Sequence, residues 1–316
     1  MRILNVIEGF SDEAKEVLDK LGVVDYRLPS QKELEEGISN YDILIVRIGL
    51  NVNKEVLDNG KNLKVVATAT TGLNHIDMAY AKKKGVEVVS LKNEVTFLDT
   101  ITSTAELAFG LMIDLMRLTP WAFESIKEYE FNLEEFKGQS LFGKTLGIVG
   151  MGRLGKIIAE GASGWRMNVI FCDPNVSQEK FPAYKKVSFD ELLKESDVVS
   201  VHAHLSPETE KMLNKDVFAK MKKTAYLVNT SRGELVDEGA LLNALEQKKI
   251  AGYATDVLSH ELTLVEHFSN HPLVEYAKKH RNCIIVPHTG GLTYDSRIAT
   301  DVFISRKIRE YAKNLL

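Results

Sequence analysis

The sequence predicts an α/β chain of two domains, each built on a parallel sheet flanked by helices. Three observations carry this. Short apolar runs alternate with helical patterns along most of the 316 residues. The runs lack polar alternation, as expected of strands buried on both faces. One stretch, 146–173, joins such a run to a glycine-rich turn and a helix. The length suits about two domains, each able to bury its own core.

Residues 1–90 predict strands at 3–7, 23–28, 41–46, 64–69 and 86–89. Helical patterns at 12–21, 31–36, 54–59 and 78–84 lie between them. Ser30-x-x-Glu33 reads as a capping box, and Gly22, Gly37, Gly60 and Gly85 stand where helices stop. From 100 to about 129 the period becomes helical, with Ala105, Leu107, Ala108, Leu111, Met112, Leu115 and Met116 apolar. So apolar a helix should be buried on more than one side, between domains or against a second subunit. Pro120 should kink or restart it. Further strands follow at 198–201, 225–228, 251–255 and 283–286. A second capping box is expected at Ser188-x-x-Glu191, and a last helix at 295–314 could pack back onto the first domain.

The organising stretch reads LGIVGMGRLGKIIAEGASGWRMNVIFCD. Gly150, Gly152 and Gly155 give G-x-G-x-x-G between a strand and a helix, and Asp173 ends the next strand. The glycines serve a tight turn, close approach of a pyrophosphate, and close helix–strand contact. The helix opening at Gly152 would aim N–H groups and a positive dipole end at that pyrophosphate. Asp173 can accept hydrogen bonds from an adenosine ribose. Its charge would repel an NADP 2′-phosphate by about 1–4 kcal/mol, with no cation in Pro174-Asn175-Val176 to offset it. NAD is the expected cofactor.

Charge excludes other classes. A net charge of −4 without a basic stripe points away from nucleic acid and anionic membranes. The start, MRILNVIEGF, reads as a strand rather than a signal peptide. No apolar run approaches a membrane span. Cys172 and Cys283 read as buried, reduced thiols, which predicts a cytoplasmic protein. No metal site is expected: His260-Glu261 lacks the second histidine of H-E-x-x-H, and the pair His267/His271 has no third ligand.

Three residues beyond strand ends could carry chemistry. Arg232 follows one strand in NTSRG, Glu261 lies in the loop after another, and His288 follows a third in PHTGG. Open α/β sheets place ligands at that edge. A guanidinium, a carboxylate and an imidazole there suit hydride chemistry on an anionic oxo acid. Singly, each could equally be a cap, a solvated loop acid or a polar strand stop.

GMGRLGK with Asp173, VNTSRGELVDE, DVLSHE and VPHTGG together resemble the NAD-dependent D-2-hydroxyacid dehydrogenases over nearly the whole chain. The resemblance implies an α/β fold in which a Rossmann dinucleotide-binding domain, 100–288, is inserted into a flavodoxin-like parallel α/β substrate domain. The latter is 1–99 completed by the C-terminal helix, 289–316. It implies His288 as general acid in reduction and base in oxidation, Glu261 as its partner, and Arg232 as binder of the substrate carboxylate. Thr71 and Gly72 would offer N–H groups to that carboxylate, and Arg153 and Leu154 to the diphosphate. Thr230 and Asp256 would contact the nicotinamide, with His202, Thr209 and Gly290 completing the cofactor set. Arg47 resembles the arginine that binds 3-phosphoglycerate, which makes that the first substrate expected, ahead of glyoxylate, hydroxypyruvate or lactate-type acids. A homodimer is implied too.

Departures from the family pattern are Thr70 and Asn74 in the substrate loop, the longer segment 93–106 without Pro-Gly, His204, and Leu262 after Glu261. The chain stops at Leu316, so a short form without a regulatory domain is expected. A second expectation from the same resemblance is a non-catalytic NAD-sensing protein like the corepressors that share the fold.

Overall fold

A computed structural model describes residues 1–261 and 268–313. The chain divides into two units: Met1–Ile101 with the segment from Leu292 onward, and Thr102–Gly291.

The first unit alternates β1 (Arg2–Asn5), α1 (Asp12–Leu18), β2 (Val23–Tyr26), α2 (Gln31–Gly37), β3 (Ile43–Ile45), α3 (Lys54–Asn59), β4 (Val65–Ala67), α4 (Met78–Lys83), β5 (Glu87–Val89) and α5 (Val95–Leu98). The strands are all parallel, in the order β2-β1-β3-β4-β5. That is the flavodoxin-like order, which places a switch point between β1 and β3. Ser30 and Glu33 do form a reciprocal capping box. Ile3, Ile43, Ile45 and Val65 bury one side of the sheet, and Leu4, Leu44, Val46 and Val66 the other.

The second unit contains α6 (Ser103–Arg117), α7 (Thr119–Lys127), β6 (Thr145–Val149), α8 (Arg153–Gly164), β7 (Asn168–Cys172), β8 (Lys185–Lys186), α9 (Phe189–Glu195), β9 (Val198–Val201), α10 (Lys215–Lys220), β10 (Tyr226–Asn229), α11 (Glu238–Glu246), β11 (Gly252–Thr255), α12 (Pro272–Ala277) and β12 (Cys283–Ile285). Its seven parallel strands run β12-β11-β10-β9-β6-β7-β8. Counted from β6, this is the doubly wound 3-2-1-4-5-6 order with one more strand.

Two expectations need correction here. The apolar face of α6 is not a subunit surface: Ala105, Ala108, Leu111, Met112 and Met116 pack with Leu146, Ile148 and Val228 in this unit's own core. That face packs on β10, β11 and α8, while Glu106 and Arg117 of the same helix stay exposed. The exposed apolar side chains lie just beyond it, with Phe123 62%, Phe131 80% and Phe142 68% exposed. The restart expected at Pro120 is present: the helical stretch 100–129 breaks at Leu118, whose φ of 58° is left-handed, and Pro120 opens α7. At Ser188 only half a capping box forms: Ser188 accepts from Glu191 N, but the Glu191 carboxylate turns to Lys185 at 2.9 Å.

The last helix, α13 (Tyr294–Lys313), belongs to the first unit and packs along α1. Ile304 and Ile308 enter that core. Asn314, its expected last residue, lies outside the described residues, as do Leu262 and His267.

Candidate active site

Each glycine of G-x-G-x-x-G has a measurable reason. Gly150 has φ +94°, and an added Cβ would stand 2.7 Å from the His202 carbonyl at the end of β9. At Gly155 it would stand 2.3 Å from the Gly150 carbonyl, so α8 lies directly on the turn. At Gly152 it would meet nothing within 4 Å. Gly152 also caps α8 without a side-chain acceptor, which leaves an open helix N-terminus for an anion. Asp173 Oδ2 accepts Met151 N–H at 2.8 Å and Oδ1 accepts Asn175 N–H at 2.8 Å, which orients the carboxylate. Sequence reading missed one neighbour: Lys186 of β8 donates its ammonium to the Val176 carbonyl at 2.6 Å. Lys186 thus reaches the turn that follows Asp173 from a strand too short to show as an apolar run.

The ends of β9, β10 and β11 supply the other expected cofactor residues. Thr230 is 6% exposed, and its Oγ1 has no partner among the described residues. A buried hydroxyl in that state asks for a ligand. His202 donates its N–H to Val149 O at 2.7 Å, and its Nε2 lies 2.8 Å from Ser200 Oγ. Its Nδ1 is buried without a partner among the described residues, and burial pushes the imidazole down to about 4, so the ring is neutral. Thr209 closes a local turn by donating to His204 O at 2.7 Å. Gly152 at the uncapped start of α8, Thr230 and His202 are residues that would hold a dinucleotide.

Arg232, Glu261 and His288 follow β10, β11 and β12 at one edge of the sheet. Asn229 organises the first turn: its amide donates to Arg232 O at 2.8 Å and its Oδ1 accepts Ser231 N–H at 3.0 Å. Arg232 Nη1 donates to Ser231 O at 2.6 Å. Among the described residues Nε and Nη2 have no acceptor. Asp256 fixes the third turn, accepting Thr289 N–H at 2.6 Å and Gly290 N–H at 2.8 Å. Burial pushes its carboxyl up, against those bonds. His288 donates its N–H to Asp256 O at 3.0 Å and has φ 52°. His260, beside Glu261, has φ 56°. Left-handed backbone at non-glycine residues costs about 1–3 kcal/mol and gathers at functional sites.

His288 Nδ1 is hydrogen-bonded to Glu261 Oε1. That bond raises the imidazole above its ordinary range, while burial and Arg232 oppose it and Asp256 assists. With Nδ1 held, Nε2 is the nitrogen that can exchange a proton with a ligand.

The remaining expected residues lie in the first unit. Thr71 is exposed, and among the described residues neither its N–H nor that of Gly72 donates to protein. Thr70, a departure from the family pattern, closes this loop by donating its hydroxyl to Gly72 O at 2.8 Å. Arg47 is bound into its own unit: its Nη2 donates to the fully buried Asp301 of α13 at 2.8 Å. Burial pushes Arg47 down to about 10 and the Asp301 carboxyl up, while each opposes the shift of the other. His271 Nε2 lies 3.3 Å from Glu238 Oε2.

A doubly wound sheet with an open glycine-rich helix start, and an imidazole–carboxylate pair beyond its strand ends, defines a dinucleotide-binding protein with proton-transfer groups. Residues 109–290 match the family profile of the D-isomer specific 2-hydroxyacid dehydrogenase, NAD binding domain. The chain belongs to that family and carries its NAD-binding domain. It is 34% identical to the D-3-phosphoglycerate dehydrogenase of Bacillus subtilis over 98% of this chain, but spans only 57% of that relative. Among solved structures, a Thermus thermophilus protein is 30% identical, with a TM-score of 0.85, covering 96% of this chain and 94% of that one. The D-lactate dehydrogenase of Aquifex aeolicus, solved with NAD and lactic acid, is 26% identical, with a TM-score of 0.86, covering 99% and 96%.

Proposed function

We propose that the protein interconverts a small 2-oxo acid and its D-2-hydroxy acid. The observation that carries this is the His288–Glu261 pair at the strand ends of a dinucleotide unit. NADH supplies the hydride when bound. In reduction, protonated His288 gives its Nε2 proton to the oxygen that was the carbonyl; in oxidation the neutral ring takes it back. Glu261 holds the ring charged and oriented through Nδ1. Arg232 holds the substrate carboxylate with Nε and Nη2, and its fork favours a planar, two-point contact. In the first unit, taken as the substrate domain, we assign the N–H groups of Thr71 and Gly72 to substrate binding. Thr230, Asp256, His202, Thr209 and Gly290 complete the cofactor set with Gly150, Gly152, Arg153, Leu154, Gly155 and Asp173.

3-Phosphoglycerate is the first substrate, supported by the B. subtilis relative and by Arg47. The Arg47–Asp301 pair favours a second reading, in which Arg47 is structural and the substrate is a lactate-, glyoxylate- or hydroxypyruvate-type acid without phosphate. Loss of NADH absorbance with a panel of 2-oxo acids, including phosphohydroxypyruvate, decides between them. No turnover with any acid despite tight NADH binding would overturn the dehydrogenase reading. A homodimer through the second unit is part of the proposal, supported by the exposed Phe123, Tyr129, Phe131 and Phe142. The free thiols Cys172 and Cys283, both with raised pKa through burial, suit the cytoplasm. Among the described residues no helix is long and apolar enough to cross a membrane.

A further inference from the structure

Glu261 can hold His288 only if the turn that carries it is itself held. Its own backbone anchor is weak: Leu258 N–H reaches Glu261 Oε2 at 3.4 Å, beyond a good hydrogen bond. The turn rests on the segment that follows Arg232. An added Cβ at Gly233 would stand 2.1 Å from Leu258 C and 2.2 Å from Ser259 N, so the two backbones touch. Glu234 Oε1 accepts His260 N–H at 3.2 Å. Glu238, in the first turn of α11, does more. Its Oε1 accepts Ser259 N–H at 2.9 Å, and its Oε2 lies 3.3 Å from His271 Nε2. Ser259 precedes Glu261 by two residues, and His271 follows it by ten. His271 is 8% exposed, and its Nδ1 has no partner among the described residues, so the ring's polar contact there is the one with Glu238.

We propose that Glu238 is a positioning residue for the reaction: its carboxylate staples the turn at Ser259, two residues before Glu261, to His271, and so fixes the Glu261 carboxylate against His288. The proposal rests on the reading of Glu261 and His288 as the proton pair. The charged groups facing His288 are Glu261, Asp256 and Arg232. Asp256 is held by Thr289 and Gly290, and the Arg232 turn by Asn229. Glu238 therefore acts on the imidazole through Glu261. Releasing the staple lets the Glu261 carboxylate wander, the hydrogen bond weakens on average, and the protonated ring is less favoured.

The test compares pH profiles of NADH-dependent reduction for wild type, Glu238→Ala, Glu238→Gln and Glu261→Gln, each with NADH affinity measured by fluorescence. Glu238→Ala should lose roughly ten- to hundredfold in kcat, the cost of about 1 Å of misplacement. Its alkaline limb should move to lower pH in the direction of Glu261→Gln, with NADH binding unchanged. Glu238→Gln keeps an oxygen for Ser259 N–H and an amide for His271, so it should restore most of the profile. If it behaves like Glu238→Ala, the effect is one of charge and the staple is wrong. A Glu238→Ala profile that overlays wild type while Glu261→Gln shifts would overturn the staple and leave the proton pair standing. Neither variant shifting would overturn both. Should Glu238→Ala fail to fold, Glu238→Asp, one methylene too short to span both partners, should shift the limb partway, and an unshifted limb counts against the staple.

Discussion

His288 and Glu261, 27 residues apart in sequence, meet directly through Nδ1 and Oε1 at the edge where β11 and β12 end. The bond raises the imidazole, which keeps it protonated to higher pH than a free histidine. For an acid that must give a proton to an alkoxide this has a definite sign. Reduction should hold below the raised value and fail as pH climbs through it, while oxidation should rise over the same window.

Glu261→Gln removes the bond that contributes most to that shift. The imidazole then drops toward its ordinary range, so reduction begins to fail at a lower pH than in wild type. Turnover at acid pH should suffer less than in a variant lacking the imidazole. Steady-state rates across pH 5–9 read both effects, and superimposed limbs would contradict the role given to Glu261.

Arg232→Lys should do badly despite keeping its charge. A point ammonium cannot make the forked contact that Nε and Nη2 offer a carboxylate. Initial rates should show a raised KM for the oxo acid and a lowered kcat, with NADH affinity intact. Wild-type kinetics in the lysine variant would place the carboxylate elsewhere.

Cofactor choice follows from Asp173 and Lys186 together. Repulsion of a 2′-phosphate by Asp173 is about 1–4 kcal/mol, and the Lys186 ammonium brings the preference for NADH toward the lower end of that range. Asp173→Ala should narrow the gap between the cofactors, and Lys186→Ala should widen it. Equal kcat/KM for NADH and NADPH in the wild type would refute this.

Much of this arrangement is legible in sequence because it is set by local chemistry. G-x-G-x-x-G works through neighbours in the same turn, as the Gly150 and Gly155 distances show. Arg232, Glu261 and His288 stand a few residues past apolar runs, so their sheet edge can be read from order alone. What escaped depends on distant partners. Nothing near Glu238 announces that it meets His271, 33 residues on. Lys186 sits on a two-residue strand with no apolar pattern. The composition of α6 says that it is buried, and only its packing says by what. The sequence around Arg47 does not show that α13 brings Asp301 to it, 254 residues on.

That pair makes a prediction about stability. Asp301→Asn would leave the Arg47 charge buried against a neutral amide and should cost about 3–5 kcal/mol, the usual result of removing one partner of a buried pair. Replacing both, Arg47→Met with Asp301→Leu, should recover most of it. Urea unfolding followed by circular dichroism measures the difference. A loss under about 1 kcal/mol would show the pair to be as dispensable as a surface one.

The central claim is that His288 donates the proton, and His288→Ala tests it most directly. Single-turnover oxidation of bound NADH by a 2-oxo acid should slow by roughly 10²–10⁴, the usual worth of a positioned acid. NADH affinity, titrated in the same samples, should be unchanged, because the histidine is assigned to the substrate and not to the dinucleotide. Near-normal reduction by His288→Ala across pH 5–9 would contradict the account.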